Sequence, residues 1–574
     1  MKIGIIPTYK EIFGDNPPEF KNLIAGVPTK LIVGLVSVMN GELYLNQYDL
    51  RTHLKLLHFL LQRQSKNMQE EIHHKIAQQF GRKGVDDFSI FSTHLNLQFL
   101  HLSLLHYHED ETFEDTTPEQ ELKIFKAYLV STSQLFGQME IDTQTDSPLD
   151  YFRKNTWPIM IGQFMLNHPY NYFLAIVKSK CFFDALEFET EFGQYVRNFT
   201  ERFQDPNSLT YIFRFANTLQ LSQKRDQTKR FSPFSIKSDS QSIPFFDELV
   251  IDLKKYNETY SESKGNFTGL KEKPLYKVSE NSYVIMNWDF LARKVYDGML
   301  FDFYNQSGIS NERKFLKFPA FKQFIGENAI EKYLFRRLIK GCFKNKHVII
   351  EFDNGNSSGH PDAYVRLGKK VFLFEIKDSL FPSKIIDSEK YELIKSEIDK
   401  KYNTSQPKKK GTHQLLSQIK QLSSKPFESK SYDELKIKKR NLIIYPIIIY
   451  TDPHFDLPGI GRYLDEEFRT LVEFEGLDQV FEKIKNLTFL NIDFLVSHLN
   501  QLQKKDTSLD KLIDASSLEL TKREKRFKRT NSTDDLMLLN DNFHSLTSKY
   551  LGEFESDGDY VKVLFDELKL SRGL

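Results

Sequence analysis

The feature that most constrains this chain is a tight β-hairpin in its second half. Two runs rich in β-branched and aromatic residues, 363–367 and 371–376, flank a Gly-Lys dipeptide. Such runs around a glycine-containing two-residue connection predict a hairpin, and the short turn also sets the register of the two strands. A turn centred on this dipeptide places Asp362 opposite Glu375 at the open end of the hairpin.

In this register the two acids repel each other. Directly opposed side chains have Cβ atoms about 4.5–5.5 Å apart, and like charges at that spacing destabilise a ladder. Lys377 follows Glu375 by two residues, so it lies on the same face of the strand. A divalent cation bound between the two acids would explain why two carboxylates and a lysine share one face of the hairpin. The other interpretation is an ordinary hairpin whose charged end faces solvent.

These residues resemble the signature of the PD-(D/E)xK nuclease superfamily, whose members have the restriction-endonuclease-like fold. The motif consists here of Pro361-Asp362, twelve intervening residues and Glu375-Ile376-Lys377. The resemblance covers about residues 320–470 and implies an αβββαβ core within an α+β or α/β multidomain chain.

The flanking segments fit the order of elements that the resemblance implies. Apolar residues at helical spacing predict a helix over 325–343, and 347–352 predicts the first strand. After the hairpin, 413–422 predicts a helix and 441–450 a strongly apolar strand. The longer connection at 379–410 predicts a helical insertion.

The resemblance also implies roles for the motif residues. Asp362 and Glu375 are expected to bind Mg²⁺ (or Mn²⁺), with the backbone carbonyl of Ile376 as a third ligand. Lys377 is expected either to orient or deprotonate a water, or to stabilise the charge on the phosphate.

Three further assignments lie outside the motif itself. Glu331 is the expected acid of the preceding helix, with Glu327 as its rival one turn earlier. Gln414 or Gln418 resembles a glutamine found after the motif in several branches of the superfamily. His360 is expected to face the motif lysine in the same register, close enough to contact substrate.

Basic and glycine-containing stretches are candidates for phosphate contacts. Lys408-Lys409-Lys410 lie nearest the expected site and are the preferred candidates. Residues 522–529 carry six basic side chains in eight, which fits a phosphate contact and a solvated helix face equally well. The glycines of 457–461 resemble a helix-hairpin-helix phosphate loop, although a plain strand-to-helix turn is the favoured interpretation.

Beyond this module the patterns predict separate domains. Residues 1–225 predict a mostly helical domain, opened by short strands, for sensing or partner binding. A Ser-, Lys- and Gln-rich linker is expected at 226–243. The nuclease-like domain, with a preceding hairpin and helix, is expected at 244–475, and a helical region with the basic stretch at 476–574.

Charge and cysteine content limit the location and partners of the chain. A net charge of +1 argues against a globally basic nucleic-acid coat, so nucleic-acid binding has to come from local patches. Cys181 and Cys342 are too few for a disulfide framework and fit a reducing cytosol. No apolar run reaches eighteen residues, which predicts a cytoplasmic protein with no membrane partner.

The resemblance implies a metal-dependent nuclease that acts on nucleic acid, with DNA favoured over RNA. The N-terminal region would bind a partner protein or a second copy of the chain, a layout that resembles bacterial restriction or phage-defence effectors. The alternative is a non-catalytic nucleic-acid-binding or scaffold protein that retains the fold. Intact Asp362, Glu375 and Lys377 argue against that alternative.

Overall fold

The computed structural model has a mixed α and β fold, in which helices predominate and two small sheets are embedded. This agrees with the mixed α and β class predicted from the sequence, and the finer expectation of a restriction-endonuclease-like core stays a prediction. The residues described are 7–44, 46, 49–83, 89–107, 117–136, 147–166, 170–222, 233–261, 267–344, 347–355, 359–551 and 558–570.

The first part of the chain forms helices, as its apolar periodicity predicted. The short strands expected near its start are wrong for residues 30–43, which belong to a helix. Their buried residues Ile32, Val36, Met39 and Leu43 recur every three or four positions, which is helical spacing. The helices are α1 (Tyr9–Phe13), α2 (Phe20–Ile24), α3 (Thr29–Leu43), α4 (Leu50–Leu61), α5 (Lys66–Lys83), α6 (Thr93–Leu105), α7 (Pro118–Phe136), α8 (Pro148–Ile161), α9 (Tyr172–Phe188), α10 (Gly193–Glu201) and α11 (Ser208–Ser222).

The segment predicted as a linker is ordered structure in its described part, while residues 223–232 lie outside the described residues. A strand there pairs antiparallel with the second strand of the hairpin that precedes the nuclease-like module. The three-stranded sheet has the order β1-β3-β2. Its elements and their neighbours are β1 (Ser235–Lys237), α12 (Ile243–Asp247), α13 (Leu253–Tyr260), α14 (Thr268–Glu272), β2 (Leu275–Ser279), β3 (Ser282–Ile285), α15 (Trp288–Arg293) and α16 (Asp297–Gln306).

The second sheet carries the predicted hairpin and has the order β4-β5-β6-β7, with β8 and β9 both paired to β7. The first three strands are antiparallel neighbours, and β6, β7 and the last two strands run parallel. The elements are α17 (Phe318–Ile325), a π-helix (Gly326–Phe335), α18 (Arg336–Cys342), β4 (Val348–Phe352), β5 (Ala363–Leu367), β6 (Lys370–Lys377), α19 (Ser383–Ser388), α20 (Tyr391–Tyr402), α21 (Thr412–Ser424), α22 (Tyr432–Leu435), β7 (Ile443–Tyr450), α23 (Ile460–Phe474), β8 (Lys483–Ile484) and β9 (Thr488–Asn491).

The sequence predicted a helical region from residue 476, and the chain is helical there from the end of β9 onward. The prediction missed strands β8 and β9 at the start of this region. The basic stretch lies near the end of α26, where Arg523 and Arg526 pair with Asp541 and Asp535. The helices are α24 (Ile492–Ser497), α25 (Leu499–Leu502), α26 (Leu509–Thr530), α27 (Thr533–Leu539), α28 (Phe543–Leu551) and α29 (Gly558–Glu567).

Three apolar cores cross the domain boundaries expected from the sequence. One core joins helices of the first 136 residues to residues 251–290. A second runs from Tyr172 to Leu570 and includes one face of the second sheet. The third packs Trp157 of α8 against α20, α21 and the other face of that sheet. The boundaries expected at 225 and 475 therefore do not separate independent cores.

The glycine loop before α23 is a packed strand-to-helix turn. Gly459 has a φ of +89°, and its N–H donates to the carbonyl oxygen of Asn540 at 2.7 Å. The indole N–H of Trp157 donates to the carbonyl of Pro458 at 2.9 Å. These contacts agree with the simpler of the two interpretations, since protein groups surround the loop.

Both cysteines, Cys181 and Cys342, are buried and form no disulfide. In the part of the chain that the structure describes, no helix combines the length and the apolar character needed to cross a bilayer.

Candidate active site

The hairpin has the register predicted from its turn. β5 and β6 pair antiparallel, with Ala363 opposite Phe374. Asp362 directly precedes β5, and its carboxylate accepts a 2.7 Å hydrogen bond from the backbone N–H of Ile376. This contact holds Asp362 against the end of β6 that carries Glu375.

Glu375 is completely buried, and both of its carboxylate oxygens are hydrogen-bonded. Nζ of Lys377 lies 2.8 Å from one oxygen, and the side-chain amide of Gln418 on α21 donates to the other. A buried carboxylate is costly unless it is paired and hydrogen-bonded, so these two contacts allow an acid at this depth. Of the two glutamines considered from the sequence, Gln418 is therefore the one at the site, and Gln414 lies one turn earlier on α21.

Asp362 is held in an environment that disfavours its charge. Desolvation and the neighbouring Glu375 carboxylate raise the pKa of Asp362 to about 7, although the ammonium group of Lys377 opposes the shift. The charge of Glu375 thus acts against that of Asp362, second to desolvation, as the predicted nearness of the two acids implies.

A third acid reaches the cluster from the π-helix. Desolvation and the charge of Asp362 raise the pKa of Glu331 to about 7. Glu327 points elsewhere, because its carboxylate pairs with Lys332 at the surface at 2.6 Å. The structure therefore brings Glu331, the preferred of the two helix acids, to the hairpin. Short π-helical segments are often found at functional sites.

Lys377 is a cation in this site. Burial lowers the pKa of Lys377, but the charges of Glu375 and Asp362 outweigh that effect, so its pKa is raised. A lysine with a raised pKa is a poor base at neutral pH. Of the two roles expected from the sequence, stabilisation of negative charge fits this environment better than deprotonation of water.

His360 does not face Lys377, and that expectation is wrong. Its Nδ1 lies 2.9 Å from the carbonyl oxygen of Pro361, and its ring packs edge-on against Phe427. The reason is that the ladder begins only at Ala363, so the register does not extend to residue 360.

The lysines expected to contact phosphate lie in the loop before α21. Lys408 and Lys409 are exposed, and Nζ of Lys409 donates to the hydroxyl of Ser417 at 3.1 Å. Lys410 is partly buried and close enough to Lys377 for their charges to interact.

Asp378, the residue after the motif lysine, forms a network of contacts that the sequence motif did not predict. The carboxylate of Asp378 pairs with Lys322 of α17 and accepts a 2.6 Å hydrogen bond from the hydroxyl of Thr451. A Cβ on Gly326, where the π-helix begins, would lie 2.9 Å from this carboxylate. Asp378 therefore ties α17, which runs directly into the π-helix of Glu331, to the ends of β6 and β7.

Among the residues that the structure describes, no group of three or more histidine, cysteine, aspartate or glutamate side chains has the arrangement of a metal site. Comparisons with protein-family models, with curated proteins and with solved structures find no match to this chain. A function for this cluster has to come from its own geometry and from the sequence motif.

Proposed function

We propose that this protein is a metal-dependent phosphodiesterase, a nuclease whose preferred substrate is DNA cut internally. The observation that carries the proposal is the meeting of Glu331, Asp362, Glu375 and Lys377 at one end of the β5–β6 hairpin. These are the acids and the lysine of the motif that resembles the PD-(D/E)xK nucleases. The order of helix, three strands, helices and strand around them also supports the proposal.

The residues present fit Mg²⁺ or Mn²⁺ by their chemistry. Carboxylate and carbonyl oxygens are the ligands these ions prefer, and Asp362, Glu375 and the Ile376 carbonyl would hold the ion. The repulsion that raises the pKa of Asp362 is relieved by a cation. Because Lys377 and Gln418 occupy the oxygens of Glu375, binding would displace one of these contacts. A bound ion would polarise a phosphate oxygen and activate a water.

The side chains themselves supply charge stabilisation and proton transfer. Lys377, as a cation, would stabilise the negative charge that develops on the phosphate under attack. Glu331, whose pKa is raised to about 7, can take up or release a proton near neutral pH. Asp362 would be ionised once it holds the ion. Gln418 positions Glu375 through its hydrogen bond.

A second candidate function, a non-catalytic nucleic-acid-binding or scaffold protein, is favoured by one observation. The hydrogen bonds that Glu375 makes to Lys377 and Gln418 satisfy it without any ligand. A protein with this fold and no catalytic activity could make the same contacts, because they stabilise the buried Glu375 carboxylate by themselves.

An endonuclease assay separates the two functions. The purified full chain should nick or linearise supercoiled plasmid DNA with Mg²⁺ or Mn²⁺ and leave it intact in EDTA, because the acids alone do not activate a water. Linear DNA and RNA in parallel reactions identify the preferred substrate. Failure to cut plasmid, linear DNA and RNA with either ion would favour the non-catalytic function.

A melting experiment with Asp362→Asn tests the metal site without relying on activity. Mn²⁺ should stabilise the wild-type fold by RT ln(1 + [L]/Kd), about 2.7 kcal/mol at a hundred times Kd. The variant should lose most of this shift. In EDTA at neutral pH it should melt no lower than wild type, because one of two repelling charges is gone while an amide oxygen can still accept from Ile376.

The same melts have a defined pH dependence. The pKa of Asp362 is raised from 3.8 to about 7 on folding, so the folded chain binds a proton that the unfolded chain has released. Wild-type stability in EDTA should therefore fall as the pH rises from about 4 to about 7, and Asp362→Asn should lack this component. Glu327→Gln, which changes a surface acid on the π-helix that carries Glu331, is the matched control and should keep the full metal shift. Equal metal shifts in wild type and Asp362→Asn would exclude the metal site.

A further inference from the structure

The loop between α20 and α21 folds back tightly against the end of α20. The backbone N–H of Lys410 donates to the carbonyl oxygen of Thr404 at 2.8 Å. Gly411 has a φ of +55°, and a Cβ there would lie 2.0 Å from the carbonyl oxygen of Tyr402. Only glycine fits such an approach, so Gly411 is what permits the fold-back. As a result Lys410 lies at the C-terminal end of α20.

Two more lysines occupy the last turn of α20. Nζ of Lys400 and Nζ of Lys401 lie 3.6 and 3.5 Å from the carboxylate of Glu397, which is 4% exposed. One carboxylate faces three ammonium groups once Lys410 is counted. The cluster therefore keeps an excess of positive charge.

The charges of the cluster act on Lys410, and the charge of Lys377 in the candidate active site acts on it as well. Burial and repulsion from Lys401, Lys400 and Lys377 lower the pKa of Lys410. The fold thus holds like charges together at a cost, within the electrostatic range of Lys377. An anion bound between them would relieve the repulsion, as a cation would between the acids.

We propose that Lys400, Lys401 and Lys410 form a subsite for backbone phosphates of the nucleic acid, beside the bond that is cut. The subsite rests on the proposed nuclease function, and it guides the strand past Lys377. Contacts of this kind are electrostatic and independent of base sequence. Lys400 and Lys401 lie on a helix outside the motif, and the fold-back of the loop joins them to Lys410.

The second basic stretch of the chain is a poorer candidate for this role. On α26 the guanidinium groups of Arg523 and Arg526 are already paired with Asp541 and Asp535. The remaining lysines of that stretch, Lys522, Lys525 and Lys528, are suitable controls because all three are exposed.

The test measures binding of a short duplex DNA to the full chain in EDTA, by fluorescence anisotropy over a range of salt concentrations. The combined variant Lys400→Gln, Lys401→Gln, Lys410→Gln should lower the slope of log K against log salt by about 2.7, since each phosphate contact contributes about 0.9. At about 0.1 M salt the affinity should fall on the order of 100-fold. The combined variant Lys522→Gln, Lys525→Gln, Lys528→Gln should keep the wild-type slope.

A single substitution guards against loss of folding, because the triple variant leaves Glu397 without its lysines. Lys410→Gln alone should lower the slope by about 0.9 and melt no lower than wild type, since it removes repulsion. A wild-type slope in both Lys410→Gln and the triple variant would overturn the subsite even if the protein cuts DNA. The same loss of slope in the α26 control would also overturn it. Loss of slope confined to the subsite variants, in a protein that cuts no nucleic acid, would support the subsite and reject the nuclease.

Discussion

Replacement of Lys377 by alanine should lower nucleic-acid cleavage by about 100- to 1,000-fold, the usual cost of removing one group that stabilises transition-state charge. The reason is electrostatic: Lys377 is held as a cation between Glu375, Asp362 and the space where a phosphate would bind. Binding of nucleic acid should persist in the variant, because the lysines of the proposed subsite remain. Plasmid cleavage in Mg²⁺ and DNA binding in EDTA, each compared with wild type, give the two readouts.

Lys370→Ala is the matched control for this experiment. Lys370 lies at the other end of β6 and also pairs with a buried carboxylate, that of Asp510. Both variants lose an ion pair of the same strand, but only one is next to the candidate site. Lys370→Ala should cut DNA at close to the wild-type rate. Near wild-type cleavage by Lys377→Ala would exclude this nuclease centre, and equal losses in both variants would attribute the effect to stability.

A chain that begins at Pro244 should fail to fold, contrary to the expectation that a linker separates two independent halves. Helix α9 packs on the π-helix, where the hydroxyl of Tyr333 donates to Asp184 at 3.2 Å. Truncation would also remove β1 from the first sheet. It would further remove α3, whose Ser37 and Asn40 donate to the backbone carbonyls of Ile285 and Met286. Uncovering so much apolar surface costs far more than a typical fold can lose.

The measurements for the truncated chain are solubility, size-exclusion elution and a thermal melt. It should be insoluble or aggregated, whereas the full chain with the same tag should elute as a defined species and melt cooperatively. Co-expression of residues 1–243 should restore solubility, because those residues supply the missing half of the shared core. A soluble 244–574 chain with a cooperative melt would contradict the expectation and show that the second half folds alone.

Local sequence was sufficient where one short segment sets its own geometry. A two-residue turn allows only one register for the strands that it joins, so the turn determined the pairing of Ala363 with Phe374. The insertion helix Tyr391–Tyr402 and the first hairpin, Leu275–Ile285, also follow local patterns. The position of Asp362, Glu375 and Lys377 at one end of the hairpin is a consequence of that register.

The rest of the candidate site needed the tertiary structure. Helical periodicity could not decide between Gln414 and Gln418, because the two residues are one turn apart and lie on the same face of α21. The packing of α21 over β6 made that choice. The sequence placed His360 opposite Lys377 by extending the β5–β6 pairing to residue 360. In the structure this pairing begins only at Ala363.

Long-range packing also decided the organisation of the chain. β9, Thr488–Asn491, is too short to be recognised alone and exists as a strand because it pairs with β7. The apolar run of α3 has the composition of a strand as well as of a buried helix, and its neighbours select the helix. The cores shared across residues 225 and 475 have no sequence signature. Burial is a property of pairs of distant segments, whereas a pattern read along the chain records only what each segment can do by itself.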